Sequence, residues 1–278
     1  RDKNDRFIIP EKLYGRETEV EELLAAYNRV SGITSDSEPE NERDEGKYNS
    51  ELMLVAGFSG VGKTALINEV HKPIVKQRGY FIKGKFDQFN RNIPLSAFVQ
   101  AFRDLIAQLL GESDAQLSTW KTKILQALGD NAQVIIEVIP SLEKIIGQQP
   151  PITELSGYAA ENRFDLLFQK FIQVFTTKEH PLVIFLDDLQ WADLASLKLM
   201  QLLMSESETS YLLLIGAYRD NEVLPAHPLM LTLEEIRKTR GIINRITLAP
   251  LSEKKLNKLV NDTLNCSLLI AQRLTQLI

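Results

Sequence analysis

Between residues 52 and 76 the chain passes from a short apolar run into a glycine-rich loop and then into helical periodicity. The run Leu52-Met53-Leu54-Val55-Ala56 has no polar face, which suits a strand buried on both sides, as in a parallel sheet. Gly57-Phe58-Ser59-Gly60-Val61-Gly62-Lys63-Thr64 follows at once and has the spacing G-x-x-x-x-G-K-[ST], in the strand-before, helix-after context that this spacing demands. Glycines let the backbone turn tightly with its N–H groups pointing inward, and the helix N-terminus adds positive potential, so the segment is a cradle for phosphates. In such a cradle Lys63 neutralises the β- and γ-phosphates and Thr64 offers its hydroxyl to Mg²⁺. Gly57, Ser59, Gly60, Val61, Gly62, Lys63, Thr64 and Ala65 are the predicted nucleotide contacts, with ATP and Mg²⁺ as the expected cofactors.

Further strands are predicted at residues 80–83, 182–186, 211–217 and 242–248, and helices at 17–30, 159–175 and 194–204. In the first helix Val20, Leu23, Leu24 and Tyr27 recur at helical spacing. Residues 95–147 read as mainly helical, a long insertion punctuated by Pro140 and Pro150. The alternation predicts an α/β fold, a P-loop NTPase with a parallel five-stranded sheet covered by helices. With 44% hydrophobic and 25% charged residues, the chain has material for a sizeable core. The expected organisation is a linker over 1–12, a P-loop domain over 13–250 and the start of a helical domain over 251–278, where Ser252 suits an N-cap. Within the domain, residues 31–50 are acidic and Gly- and Ser-rich, so a flexible surface loop is expected there, and 95–150 form the helical insertion.

The second constellation is Leu182-Val183-Ile184-Phe185-Leu186-Asp187-Asp188, an apolar strand ending in two carboxylates. Beside a phosphate cradle, Asp187 can hold Mg²⁺ through water and Asp188 can orient the attacking water. The bland alternative is that the pair caps helix 194–204. Arg219 ends the strand 211–217, where it could meet a γ-phosphate and distinguish ATP from ADP, or else pair at the surface with Asp220 or Glu222. Trp191 and Asp193 either shape the mouth of the site or serve packing.

Charge and composition narrow the classes. A formal net charge of -5 gives no general attraction to nucleic acid or anionic lipid. Cys266 is the single cysteine, and His71, His180 and His227 are scattered, so neither a disulfide nor a zinc site is expected. No apolar run reaches the roughly 18 residues of a membrane span, and no signal-peptide core is present, so a cytoplasmic location is expected. The chain starts at Arg1 and stops within a helical pattern, which suggests a piece of a longer polypeptide. It contains no H-R-D or D-F-G element, so it is not expected to be a protein kinase itself.

Leu13-Tyr14-Gly15-Arg16-Glu17, the loop 57–64, Leu186-Asp187-Asp188-Leu189-Gln190-Trp191-Ala192-Asp193 and Gly216-Ala217-Tyr218-Arg219 together resemble the signal-transduction ATPases with numerous domains, an AAA-type, origin-recognition-like group. More narrowly, Gly84-Lys85-Phe86-Asp87-Gln88-Phe89, Arg91-Asn92-Ile93-Pro94 and residues 217–223 resemble the ATPase module of multidomain serine/threonine and sensor histidine kinases. The resemblance implies that Tyr14, Gly15 and Arg16 line the adenine side, that Arg219 senses phosphate and that Asp188 is the catalytic acid/base position. Many related ATPases carry Glu where Asp188 stands, and the shorter side chain implies slow hydrolysis. The resemblance further implies a regulatory switch whose partners are attached kinase and sensor domains. Two features depart from the pattern: the Gly-x-Pro-type motif of the following helical domain is not found, and the loop 31–50 is longer than the family needs. A DNA-associated loader or motor and a nonhydrolytic scaffold stand as alternatives. Arg237 and Arg240 either are solvated or offer a finger to a neighbouring subunit, which would make self-association nucleotide-dependent.

Overall fold

The computed structural model describes residues 12–32, 50–89, 93–153, 156–205, 209–239 and 241–277. Most of the linker 1–12 and of the acidic loop 31–50 lies outside them, as does Arg240. Five strands, β1 (Glu51–Ala56), β2 (Tyr80–Lys85), β3 (Leu182–Asp187), β4 (Leu212–Tyr218) and β5 (Ile242–Thr247), form one sheet in the order β2-β3-β4-β1-β5. Every adjacent pair is parallel. The phosphate-loop strand β1 and the acid-bearing strand β3 therefore flank β4, and loops leaving their C-terminal ends meet on one edge.

Strand periodicity sends alternate residues into two cores. Leu52, Leu54, Ile184, Leu186 and Leu214 belong to one, while Met53, Val55, Val183, Phe185 and Ile215 belong to the other. The second core is closed by α1 (Glu17–Ser31) and α2 (Lys63–Lys76), through Leu23, Tyr27, Leu66, Ile67 and Val70. The first is closed by α3 (Ser96–Leu109), α7 (Gly157–Gln173), α8 (Leu194–Ser205) and α9 (Pro228–Lys238). Both faces of the sheet are thus covered, as the near-continuous apolar runs require.

The helical stretch after β2 resolves into α3, α4 (Asp114–Leu128), α5 (Ala132–Val138) and α6 (Glu143–Ile146). Trp120, Ile124, Ile135 and Ile146 from the later three share a single core with the sheet and with the aromatic cluster of Phe102, Phe168, Phe171 and Phe175. The insertion is packed as a continuation of the domain.

Two local features differ from the sequence reading. The strand predicted over 80–83 continues two residues further, to Lys85. Helix α9 had no predicted counterpart, although Leu229, Leu233 and Ile236 lie on one buried stripe and His227-Pro228 starts it. At the C-terminal end α10 (Glu253–Leu264) begins after Ser252, but the Ser252 side chain makes no capping hydrogen bond. Helix α10 leans on the segment 14–17, where the Tyr14 hydroxyl donates to Asp262 at 2.8 Å and Lys255 pairs with Glu17, and α11 (Leu268–Thr275) packs on α10, its Thr275 hydroxyl donating to Asn257.

Candidate functional site

The glycine loop leaves β1 at Ala56 and enters α2 at Lys63. Gly57, Gly60 and Gly62 have φ of +151°, +76° and +101°, conformations that L side chains rarely adopt. At Gly57 a Cβ would also lie 2.9 Å from the Leu248 carbonyl oxygen, so the loop closes tightly over the end of β5. Lys63 is buried, and its ammonium donates to the Gly57 carbonyl at 2.7 Å and the Phe58 carbonyl at 2.9 Å. Burial holds that ammonium below the usual lysine pKa, with the Asp187 and Asp188 carboxylates opposing the shift. Such an ammonium gains most from an anion entering the loop.

Across the cavity Asp187 ends β3, and the Thr64 hydroxyl lies 3.4 Å from its carboxylate. Burial first, and then the neighbouring Asp188 charge, raise the Asp187 pKa above its usual value, against the opposing hydrogen bond from the Asp188 N–H. The Thr64 hydroxyl and the Asp187 carboxylate, side by side, form an oxygen donor set that would suit Mg²⁺, with Lys63 and the glycine loop beyond as a cradle for phosphate. The cavity between these groups has a volume of about 300 Å³ and is lined by Ser59, Gly60, Gly62, Lys63, Thr64, Ala65, Lys85, Asp187, Asp188 and Arg219.

Asp188 has φ +56°, a left-handed conformation that Asp tolerates better than most residues. A turn of 3-10 helix, Leu189–Trp191, follows it. Gly216 in β4 makes room for this turn, since a Cβ there would come 2.3 Å from the Leu189 side chain. The Asp188 carboxylate is buried and held on three sides: Lys85 at 3.2 Å, Gln190 Nε2 at 2.8 Å and Arg219 Nε at 3.7 Å. Arg219 also pairs with Glu222 at 2.7 Å and lies over the Trp191 ring, 4.9 Å from its centroid. It therefore makes the surface pairing while standing at the cavity wall. Asp193, and not the Asp187–Asp188 pair, caps α8, accepting from the Ser196 backbone N–H at 2.9 Å.

Two residues at the site lie within motifs of the sequence that assign them no role there. Lys85 faces it because β2 runs on in register with β3, placing Lys85 opposite Asp187. Gln190 is 3% exposed and bridges the acid to β4, donating to Asp188 and accepting from the Arg219 backbone N–H at 3.1 Å. Conversely, Tyr14, Gly15 and Arg16 are absent from the cavity wall. Arg16 is buried and donates to the Val61 carbonyl at 3.2 Å and the Ala249 carbonyl at 2.6 Å, tying the glycine loop to the segment after β5. Val61 turns its side chain into the core against Gly57. Among the described residues no His/Cys/Asp/Glu cluster could hold a further metal, and no helix is long and apolar enough to cross a membrane.

Sheet order, glycine loop and acid-ended β3 define a P-loop nucleoside triphosphatase fold. The chain belongs to the AAA ATPase domain family, whose model matches residues 42–215, and it is a nucleotide-binding module. It is 40% identical over 204 residues to a hybrid signal transduction histidine kinase G of Dictyostelium discoideum, a match covering 73% of this chain and 5% of that protein. A histidine protein kinase 1 of Candida albicans is 23% identical over 170 residues, covering 55% of this chain and 7% of that one. The chain thus spans a small fraction of the relatives it matches. A Walker-type ATPase structure from Pyrococcus abyssi aligns with a TM-score of 0.49 at 13% identity, over 99% of this chain and 66% of that one.

Proposed function

We propose that this domain is an ATP-binding, slowly ATP-hydrolysing switch that couples its nucleotide state to kinase and sensor domains of the same polypeptide. The observation that carries the reading is the convergence of Lys63, Thr64, Asp187, Asp188 and Arg219 on one cavity. Similarity to part of a hybrid histidine kinase supports the signalling context. The domain core would span residues 13–250 and the helical part 251–278, with Tyr14, Gly15 and Arg16 on the adenine side.

In this reading Lys63 exchanges the carbonyls of Gly57 and Phe58 for phosphate oxygens. Thr64 and Asp187 hold Mg²⁺, which supplies positive charge between the phosphates. Asp188 orients the attacking water and accepts its proton, and Arg219 stabilises charge on the γ-phosphoryl group and registers its loss. Hydrolysis is slow for two reasons: Asp188 is one methylene shorter than Glu, and Lys85, Gln190 and Arg219 already engage its carboxylate. That engagement also favours a second reading, a scaffold that binds nucleotide without turnover.

Mg²⁺-dependent ATP hydrolysis, measured across protein concentrations beside Asp188→Asn, separates the two. The switch predicts slow turnover that falls about 100-fold or more in the variant while nucleotide affinity stays within about threefold. Tight binding without turnover in the unmodified protein establishes the scaffold. Turnover that climbs steeply with concentration points to assembly and a finger from a neighbouring copy, for which Arg237 at the end of α9 is the candidate.

A further inference from the structure

Gln190 is more than a neighbour of Asp188. Its amide orientation is fixed by chemistry, because Nε2 must face the Asp188 carboxylate and Oε1 must face the Arg219 N–H. The Gln190 main chain is in turn gripped from outside the sheet. His227 Nε2 lies 3.2 Å from the Gln190 carbonyl oxygen, while His227 Nδ1 accepts from the Leu229 N–H at 3.2 Å as the N-cap of α9. A ring nitrogen that accepts carries no proton, so the imidazole proton sits on Nε2 and is donated to Gln190. The His227 carbonyl also receives the first helical N–H groups of α9, from Met230 and Leu231. One imidazole therefore joins the start of α9 to the turn that carries the acid.

We propose that His227 and Gln190 are positioning residues for hydrolysis: His227 locks the turn after Asp188, and through it ties the placement of Asp188 and Arg219 to the N-terminus of α9. The inference rests on the hydrolytic reading above only for its kinetic consequence; the clamp itself exists without nucleotide. It runs in both directions, because a contact that seats the acid when α9 is in place must also shift α9 when the acid and arginine rearrange around a phosphate. Helix α9 thereby becomes an element through which the nucleotide state reaches the outer surface, where Leu224 and Leu231 stand 70% and 52% exposed.

His227→Asn tests this cleanly, since Asn is among the best N-caps and keeps an acceptor for the Leu229 N–H but is too short to reach Gln190. The expected result is kcat lowered by about tenfold with KM and ADP affinity within about twofold, since a small misplacement of a reacting group is costly. Hydrogen exchange of the nucleotide-free protein supplies a readout independent of turnover. In His227→Asn the amides of residues 189–192 should exchange faster than in the unmodified chain, while those of α9 keep their protection. Gln190→Leu should reproduce the kcat loss with His227 intact. Unchanged exchange across 189–192 in His227→Asn overturns the clamp whether or not the protein hydrolyses ATP. Loosened exchange with unchanged kcat in an active protein overturns the positioning role, and absence of turnover in the unmodified chain counts against the hydrolytic reading alone.

Discussion

On one side of the cavity every phosphate-facing group comes from a single octapeptide and the first turn of α2; on the other, Lys85, Asp188 and Arg219, with Gln190 and His227 behind them, arrive from four segments spread between β2 and α9. The phosphate side is a local object. Its geometry follows from three glycines with positive φ and from a helix N-terminus, with β1 and α2 on either side and Arg16 and the end of β5 bracing it from outside. The acid side is a product of sheet order: β4 inserted between β1 and β3 brings Arg219 beside Asp188, and β2 at the edge brings Lys85. A local site fails through its own residues, whereas a distributed one can be adjusted from many places.

The largest effect is expected at Lys63. Its ammonium is a buried charge already satisfied by two carbonyls, and it is the group on the phosphate side whose charge nothing local replaces. Lys63→Ala should weaken ATP binding by about 100-fold, the scale of losing charge-assisted hydrogen bonds in a partly desolvated site. Isothermal titration with ATP and with ADP checks it. An affinity reduced less than about threefold would mean that the glycine N–H groups alone hold the nucleotide, and the local side would prove as distributed as the other.

A smaller and opposite effect is expected at Lys85. It is exposed and pairs with a buried carboxylate, an arrangement usually worth little, so its release should alter rather than abolish function. If the pairing restrains Asp188, Lys85→Ala should raise kcat by about two- to fivefold without changing ADP affinity, within the range of a weak ion pair. A fall in kcat would instead assign Lys85 to charge stabilisation on the phosphoryl group and remove it from the explanation of slow turnover.

Legibility in the sequence follows the same division. The strands at 52–56 and 182–186 were readable because burial on both faces leaves uninterrupted apolar runs, and the loop 57–64 because its demands on residue type are strictly local. The last two residues of β2 were not, since Gly84 and Lys85 break the apolar pattern although the backbone ladder with β3 continues. Lys85 acquires meaning only from that ladder. Gln190 and His227 were invisible for the same reason: a glutamine after an acidic pair and a histidine before a proline look like turn residues until the sheet order sets one against the other. Arg16 carries a role that its motif did not announce. Its motif points to the adenine side, yet in the structure its guanidinium ties Val61 to Ala249.

The finest distinction between the two sides is electrostatic and rests on Asp187, which belongs to both. Its carboxyl is raised above the ordinary aspartate pKa mainly by burial and next by the Asp188 charge. A group whose pKa is higher folded than unfolded takes up protons more readily in the native state, so it favours folding at low pH and this contribution is lost as pH rises through the folded value. At neutral pH the ionised Asp187 is therefore a cost that the ligand-free protein carries and that Mg²⁺ would relieve. Two results should follow. Asp187→Asn should raise the Tm of the nucleotide-free protein at neutral pH while erasing the Mg²⁺ dependence of ATP binding. In the unmodified chain, that Mg²⁺ dependence should fade on acidification at a pH above the ordinary aspartate range, because proton and cation compete for one carboxylate. Thermal melts and titrations with and without Mg²⁺ between neutral and acid pH measure both. A lower Tm for Asp187→Asn would show that the hydrogen bonds from Thr64 and the Asp188 N–H outweigh burial, and Asp187 would then be a structural strut of the acid side as well as a ligand of the phosphate side.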